Sequence, residues 1–121
     1  MRLVKLDFTT SSGGAATVLF EDNDIVGKVY AVQFVNGTTD TTTGITVTME
    51  EGDLSIPILT KTGLDADAMF YPRVLENLNT DGTALTTHCV PIAIGQPKVV
   101  VATGGDVKTG AVILYIEDEL I

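Results

Sequence analysis

Short runs in which Val, Ile, Leu and Thr alternate with polar residues, each closed by Gly, Asp or Asn, recur along the whole chain. This pattern restricts the chain to an all-β fold, because successive side chains of a strand point to opposite faces and a period of two gives one apolar and one wet side. Val4, Leu6 and Phe8 alternate with Lys5 and Asp7 in a first strand over residues 1–8. Ile45, Val47 and Met49 alternate with Thr46, Thr48 and Glu50 as a half-buried antiparallel strand. After the turn Glu51-Gly52-Asp53, Leu54, Ile56 and Ile58 supply the inward face of its partner. Pro57 puts that partner at a sheet edge or at a bulge, since proline has no N–H to give to a central ladder.

The remaining runs follow the same logic. Residues 15–20 form a short strand closed by the acidic turn at 21–24. Residues 28–35 form another, with Tyr30, Val32 and Phe34 on one face. Asn36-Gly37 then supports the positive φ angles of a tight turn. Leu64, Ala68 and Met69 fall at helical spacing, so a short helical turn is expected over 62–70. Residues 71–75 resume an extended path, because the residue before a proline is pushed out of the α region. A turn at Asn79-Thr80-Asp81-Gly82 leads to a strand over 84–94 interrupted at Pro91. The consecutive valines of 98–102 suit a covered strand. In 110–117 both faces are apolar, with Val112, Leu114 and Ile116 on one and Ala111, Ile113 and Tyr115 on the other, which implies contact with a second sheet or subunit. About eight short strands at such spacing fit a single-domain antiparallel β-sandwich, jelly-roll-like, spanning residues 1–121. No repeat or linker divides the chain.

Charge and composition exclude several function classes. Sixteen acids against seven bases give a net charge of −9. The bases are scattered, so the clustered Lys and Arg that phosphate backbones reward are missing and no nucleic acid partner is expected. No apolar run approaches the roughly 20 residues that span a bilayer, and no charged-then-apolar start resembles a signal peptide, so a soluble chain with no membrane partner, made in a reducing cytoplasm, is expected. Cys89 is the single cysteine, which rules out an internal disulfide and suggests a buried, inert thiol.

Each chemistry-bearing motif fails at a residue its chemistry needs. Gly104-Gly105-Asp106-Val107-Lys108-Thr109-Gly110 has the letters of a phosphate loop, but Val107 rather than Gly precedes Lys108 and a strand pattern follows. Asp22-Asn23-Asp24 starts like a calcium loop, yet Val26 and Gln33 stand where an oxygen ligand and the bidentate Glu belong. That leaves a surface calcium site of looser design as the open alternative. His88 and Cys89 are neighbours and would face opposite sides of a strand, out of mutual reach as a nucleophile and base. A carbohydrate-binding module or small β enzyme is the competing class, weighed against a chain with three Tyr, four Phe and no Trp to form sugar platforms. No catalytic residue, cofactor or metal site is assigned.

Ile56-Pro57-Ile58-Leu59-Thr60, Asp65-Ala66-Asp67-Ala68-Met69-Phe70-Tyr71-Pro72-Arg73, Pro91-Ile92-Ala93 and the segments at 98–105 and 110–117 together resemble short β-sandwich proteins encoded among the head genes of tailed bacteriophages. The resemblance covers residues 54–117. It implies a virion structural protein, a capsid cement or decoration protein, commonly a homotrimer, that binds the major capsid protein on the outer shell and stabilises the expanded lattice. A head–tail connector or tail component is the alternative of the same class. Candidate interface residues are Tyr71, Pro72, Arg73, Tyr115, Leu120 and Ile121. Tyr71-Pro72-Arg73 joins a flat ring, a rigid turn and a planar cation, the chemistry of interface anchors. The competing reading packs Tyr71 and Pro72 under a loop and pairs Arg73 with an acid of its own chain. Leu120 and Ile121 either dock on a neighbour or fray.

Overall fold

The computed structural model describes residues 1–21, 25–77 and 82–118. Within them the chain forms ten strands and no helix: β1 (Arg2–Thr9), β2 (Ala16–Leu19), β3 (Ile25–Val35), β4 (Thr43–Glu51) and β5 (Leu54–Leu64), then β6 (Ala68–Phe70), β7 (Val74–Asn77), β8 (Ala84–Cys89), β9 (Ile92–Ala102) and β10 (Thr109–Asp118). The fold is an all-β, antiparallel sandwich. The ten strands exceed the eight expected because β6, where helical spacing was expected, and β7, in the extended path after Pro72, both pair as strands of only three and four residues.

The ladder runs β1-β10-β3-β9-β4-β5, with β2 added to β9 and β6 added to β3. One strand, β9, serves both layers. The first residues of β9 pair with the start of β3, Ile25 opposite Gly95 and Lys28 opposite Ile92. Its later residues lie between β4 and β2. Such corners, where a strand passes from one sheet to the other at a bend, close one side of a sandwich. Gly95 makes this bend: its φ is +90°, and a Cβ there would lie 2.2 Å from the Glu50 carbonyl oxygen.

Between the layers lie Val4, Leu6, Phe8, Ile25, Val29, Val32, Phe34, Ile45, Val47, Met49, Val99, Val101, Val112, Leu114 and Ile116, all closed to solvent. Each such side chain contributes roughly 1.5–3 kcal/mol on burial. With few aromatics available, this aliphatic layer carries the stability. At one end the β1–β2, β3–β4 and β9–β10 loops are tied together by hydroxyls. Buried Thr10 donates through Oγ1 to the Gly105 carbonyl and accepts from the Lys108 amide, each at 2.7 Å. Thr43 donates to the Asp40 carbonyl at 2.6 Å, and Thr39 bonds the Asn36 carbonyl at 2.6 Å. Three threonines out of water are thereby satisfied.

The Asn36-Gly37 turn is present, with Gly37 at φ +55°. Pro57 sits in an edge strand, at a register shift opposite Val47 and Thr48. Pro91 separates β8 from β9. The Gly104 loop leads into a strand, and His88 and Cys89 are successive residues of β8, in keeping with the rejected motifs. The expected turn at Asn79-Thr80-Asp81 and the Asp22-Asn23-Asp24 segment lie outside the described residues.

Four expectations are corrected. The helical turn over 62–70 is absent: β5 runs to Leu64 and β6 pairs with β3, because ladder bonds to β4 and β3 outweigh two turns of helical spacing. Cys89 is exposed rather than buried, since β8 lies outside the sandwich. Tyr30 does not share a face with Val32 and Phe34. The β10 register steps from Ala31 to Val29, so Tyr30 is the extra residue of a bulge, and its ring is exposed while the other two are buried. Finally, Leu54 is not on the inward face: beside the β4–β5 turn it is 67% exposed, while Ile56 is half-buried and Ile58 buried. As expected, β10 meets the second sheet through Val112, Leu114 and Ile116, and Ile113 and Tyr115 on its other face are half-buried.

Gly95→Ala must strain both backbone and contact, and should lower stability by about 2–4 kcal/mol. A urea titration should show a lower midpoint with an unchanged slope. A smaller effect is expected at Glu50. The Ser55 hydroxyl, followed by Lys98, whose Nζ lies 3.6 Å from Oε1, holds its carboxyl below the ordinary value of 4.5 against the opposing effect of burial. A lowered folded-state pKa stabilises above the unfolded value and is lost as pH falls through the folded one. Glu50→Gln should therefore be less stable than the parent at neutral pH and equal to it well below 4.5, read from denaturation midpoints at the two pH values.

Candidate interaction surface

The side of β3 away from β10 is occupied in sequence by four different partners. Ile25–Lys28 pair with β9. The Val29 amide donates to the Pro91 carbonyl at 2.9 Å. The Tyr30 carbonyl accepts from Arg73 Nη1 at 3.1 Å. Val32–Phe34 then pair with β6. Between β6 and β9 the chain leaves the sandwich as a two-stranded arm, β7–β8, and its two roots are fastened to adjacent residues of one strand.

Arg73 is the fastening on the β7 side. The same Nη1 donates to the Pro72 carbonyl at 2.6 Å, and the guanidinium lies 5.3 Å from the centre of the Tyr30 ring. Tyr30 and Tyr71 meet edge to face, with centroids 6.1 Å apart and planes at 81°. Pro72 is buried beneath, while Tyr71 remains 58% and Tyr30 42% exposed. Arg73 thus bonds backbone carbonyls, not an acid. A side chain with fixed fork geometry completes the β3 edge where the ladder is interrupted.

The arm has no third strand among the described residues. Val74 opposes Cys89 and Leu75 opposes His88. Every residue of β7 and β8 whose side chain is described is exposed, including Val74, Leu75 and Leu85. A lone two-stranded ribbon is marginal in water, and aliphatic side chains on it gain nothing there. At its base lies an apolar groove of about 310 Å³, walled on one side by Ile56 and Pro57 of β5 and on the other by Val74, Cys89, Val90, Pro91 and Ile92. Further along the same side of the sandwich, Lys61 of β5 reaches to 5.9 Å from the Phe70 ring of β6.

Of the sequence candidates, the structure brings Tyr71, Pro72 and Arg73 together. Tyr115 belongs elsewhere, donating its hydroxyl to Gln33 Oε1 at 2.6 Å. Leu120 and Ile121 lie outside the described residues. Sequence reasoning missed Tyr30, whose outward turn depends on the bulge, and the groove, whose walls come from residues 56–57 on one side and from 74 and 89–92 on the other. Among the described residues no cluster of three His, Cys, Asp or Glu could hold a metal ion.

No protein-family model and no curated protein matches this chain. Among solved structures it is similar to the crystal structure of FLHE, at 12% identity and a TM-score of 0.40, over 96% of this chain and 97% of that one. It is also similar to a chain of the infectious bursal disease virus Gx strain structure, at 9% identity and a TM-score of 0.30, over 98% of this chain and 36% of that one. At such values neither likeness carries a functional argument.

If Arg73 fastens the arm, Arg73→Ala should cost less than about 1 kcal/mol overall, as one exposed hydrogen-bonded site does, yet loosen the arm selectively. Hydrogen exchange at the β7 and β8 amides should accelerate while the core strands keep their protection. Arg73→Lys should restore little, because an ammonium lacks the planar fork.

Proposed function

We propose that this chain is a structural component of a tailed-bacteriophage virion, a cement or decoration protein that binds the major capsid protein lattice on the outer surface and stabilises the expanded shell. The observation that carries this reading is the arm: a fastened, two-stranded projection whose aliphatic side chains Val74, Leu75 and Leu85 are exposed. A projection of this kind suits a protein whose work is contact with a neighbour. The arm falls within residues 54–117, where the resemblance to phage head proteins lies. The net charge of −9 suits an exterior face held away from packaged DNA. Many weak copies on a lattice add shell stability through multivalency without a tight single contact. A homotrimer is the assembly this reading favours.

Quantitative mass spectrometry of purified virions tests it. A copy number in fixed stoichiometry with the major capsid protein is expected. A count matching a single portal or tail ring would move the chain to a connector or tail role, and absence from the particle would overturn the reading.

A further inference from the structure

The outer strands of the ladder, β1 and β5, differ in how well their free edges suit another strand. β5 carries Pro57 and two register shifts. β1 is unbroken: its eight residues follow β10 without a shift, and none is proline. β2 runs nearby but pairs with β9, so it does not take the β1 edge.

The bonding phase of β1 follows from its end. The Thr10 amide donates to the Lys108 carbonyl at 2.8 Å, and the Thr38 amide donates to the Thr109 carbonyl on the opposite edge of β10, also at 2.8 Å. Along an antiparallel strand the main-chain groups of successive residues alternate in direction. Val4, Leu6 and Phe8 therefore bond to β10, whereas the N–H and C=O groups of Leu3, Lys5, Asp7 and Thr9 point out of the sheet edge, with no ladder partner among the described residues. These same four residues are exposed.

Charges on an edge strand deter pairing when an incoming strand brings like charge against them. On β1 that deterrent depends on register. Lys5 and Asp7 lie two residues apart on one face, with Nζ 3.6 Å from Oδ1. When two copies of β1 lie antiparallel with their outward groups facing, one register sets Lys5 against Lys5 and another sets Asp7 against Asp7, and like charges directly opposite are unfavourable. The register centred on Leu6 instead sets Lys5 against Asp7 twice and Leu3 against Thr9 twice. Each charge then has an opposite one beside it on its own strand and another across the ladder, a square of alternating sign about a two-fold axis. The net −9 of each copy is screened beyond about 8 Å, so the facing charges weigh most.

We propose that β1 is a self-pairing edge, through which two copies of this chain join antiparallel about a two-fold axis at Leu6 and continue the β3–β10–β1 sheet from one protomer into its partner. Pairing satisfies the outward main-chain groups and covers Leu3, which is 60% exposed. An isologous contact of this kind closes at two copies. It goes beyond the virion reading and does not rest on it, and a three-fold contact would use another surface.

Sedimentation of the full-length protein over a range of concentrations tests this, and a monomer–dimer equilibrium is expected. Lys5→Asp and Asp7→Lys both alter exposed side chains and shift the net charge in opposite directions. Each should nonetheless weaken the dimer roughly ten-fold or more, because each turns both cross-strand attractions into repulsions. Mixed in equal amounts, the two variants should associate again, since opposite charges then face one another across the ladder. Hydrogen exchange locates the contact: the Leu3, Lys5, Asp7 and Thr9 amides should slow as concentration rises, while those of Val4, Leu6 and Phe8 stay protected throughout. A monomer at every concentration, an assembly of any size unmoved by either single reversal, or a mixture that stays monomeric would each overturn the proposal. Its failure is separate from that of the virion reading, which the copy number in particles decides whatever β1 does.

Discussion

The requirement that every backbone N–H and C=O away from water find a partner organises this molecule most clearly along one strand. On the side away from β10, β3 meets β9, then the Pro91 carbonyl, then the Arg73 guanidinium, then β6. Three of these partners are main chain and one is a side chain. The substitution at Tyr30 is what permits the chain to leave the sandwich there. A continuous β6–β9 ladder would have no exit for an arm, and without Arg73 the exposed Tyr30 carbonyl would be left to water, with nothing holding the β7 root.

From that constraint the packing follows. Because β9 starts against β3 and ends between β4 and β2, the sheets cannot slide past one another without breaking the corner. Gly95 permits the bend, and the aliphatic layer beneath it fills the enclosed space. The hydroxyl-tied loops fix one end, and the Lys61–Phe70 contact bridges part of the open side. Single apolar residues such as Leu3, Leu54 and Val107 remain exposed elsewhere, but on the arm every described side chain faces water, Val74, Leu75 and Leu85 among them.

How legible this was in the sequence depended on range. Val4, Leu6 and Phe8, or Ile45, Val47 and Met49, state their burial by alternation alone, and the inward set found in the structure is the one the pattern gives. Pro57 declared an edge and Asn36-Gly37 a turn through chemistry local to those residues. Tyr30 was misplaced because a bulge depends on the facing strand, and nothing within residues 25–35 encodes that one residue of β3 goes unmatched by β10. The helical spacing at Leu64, Ala68 and Met69 misled for the same reason, since the pairing of β6 with Val32 and Phe34 is a long-range fact. Cys89 was placed inside on residue type, yet its burial was decided by the arm leaving the body. Tyr71-Pro72-Arg73 stood out by residue type, but its fastening role required knowing which carbonyl lay within reach.

Charge bears on assembly more selectively than a net value of −9 suggests. At physiological ionic strength, charges on exposed surfaces are screened beyond about 8 Å. Acids on the far side of the sandwich therefore add little to the energy of a contact made at the arm. Around the slot the charges are mixed: Glu51 and Asp53 at the β4–β5 turn and Glu76 on β7, against Lys61 on β5 and Arg73 before β7. An apolar segment gains from burial against Ile56, Val74 and Ile92 whatever its flanks. What the slot offers a neighbour is therefore apolar area, since charges of both signs stand around it.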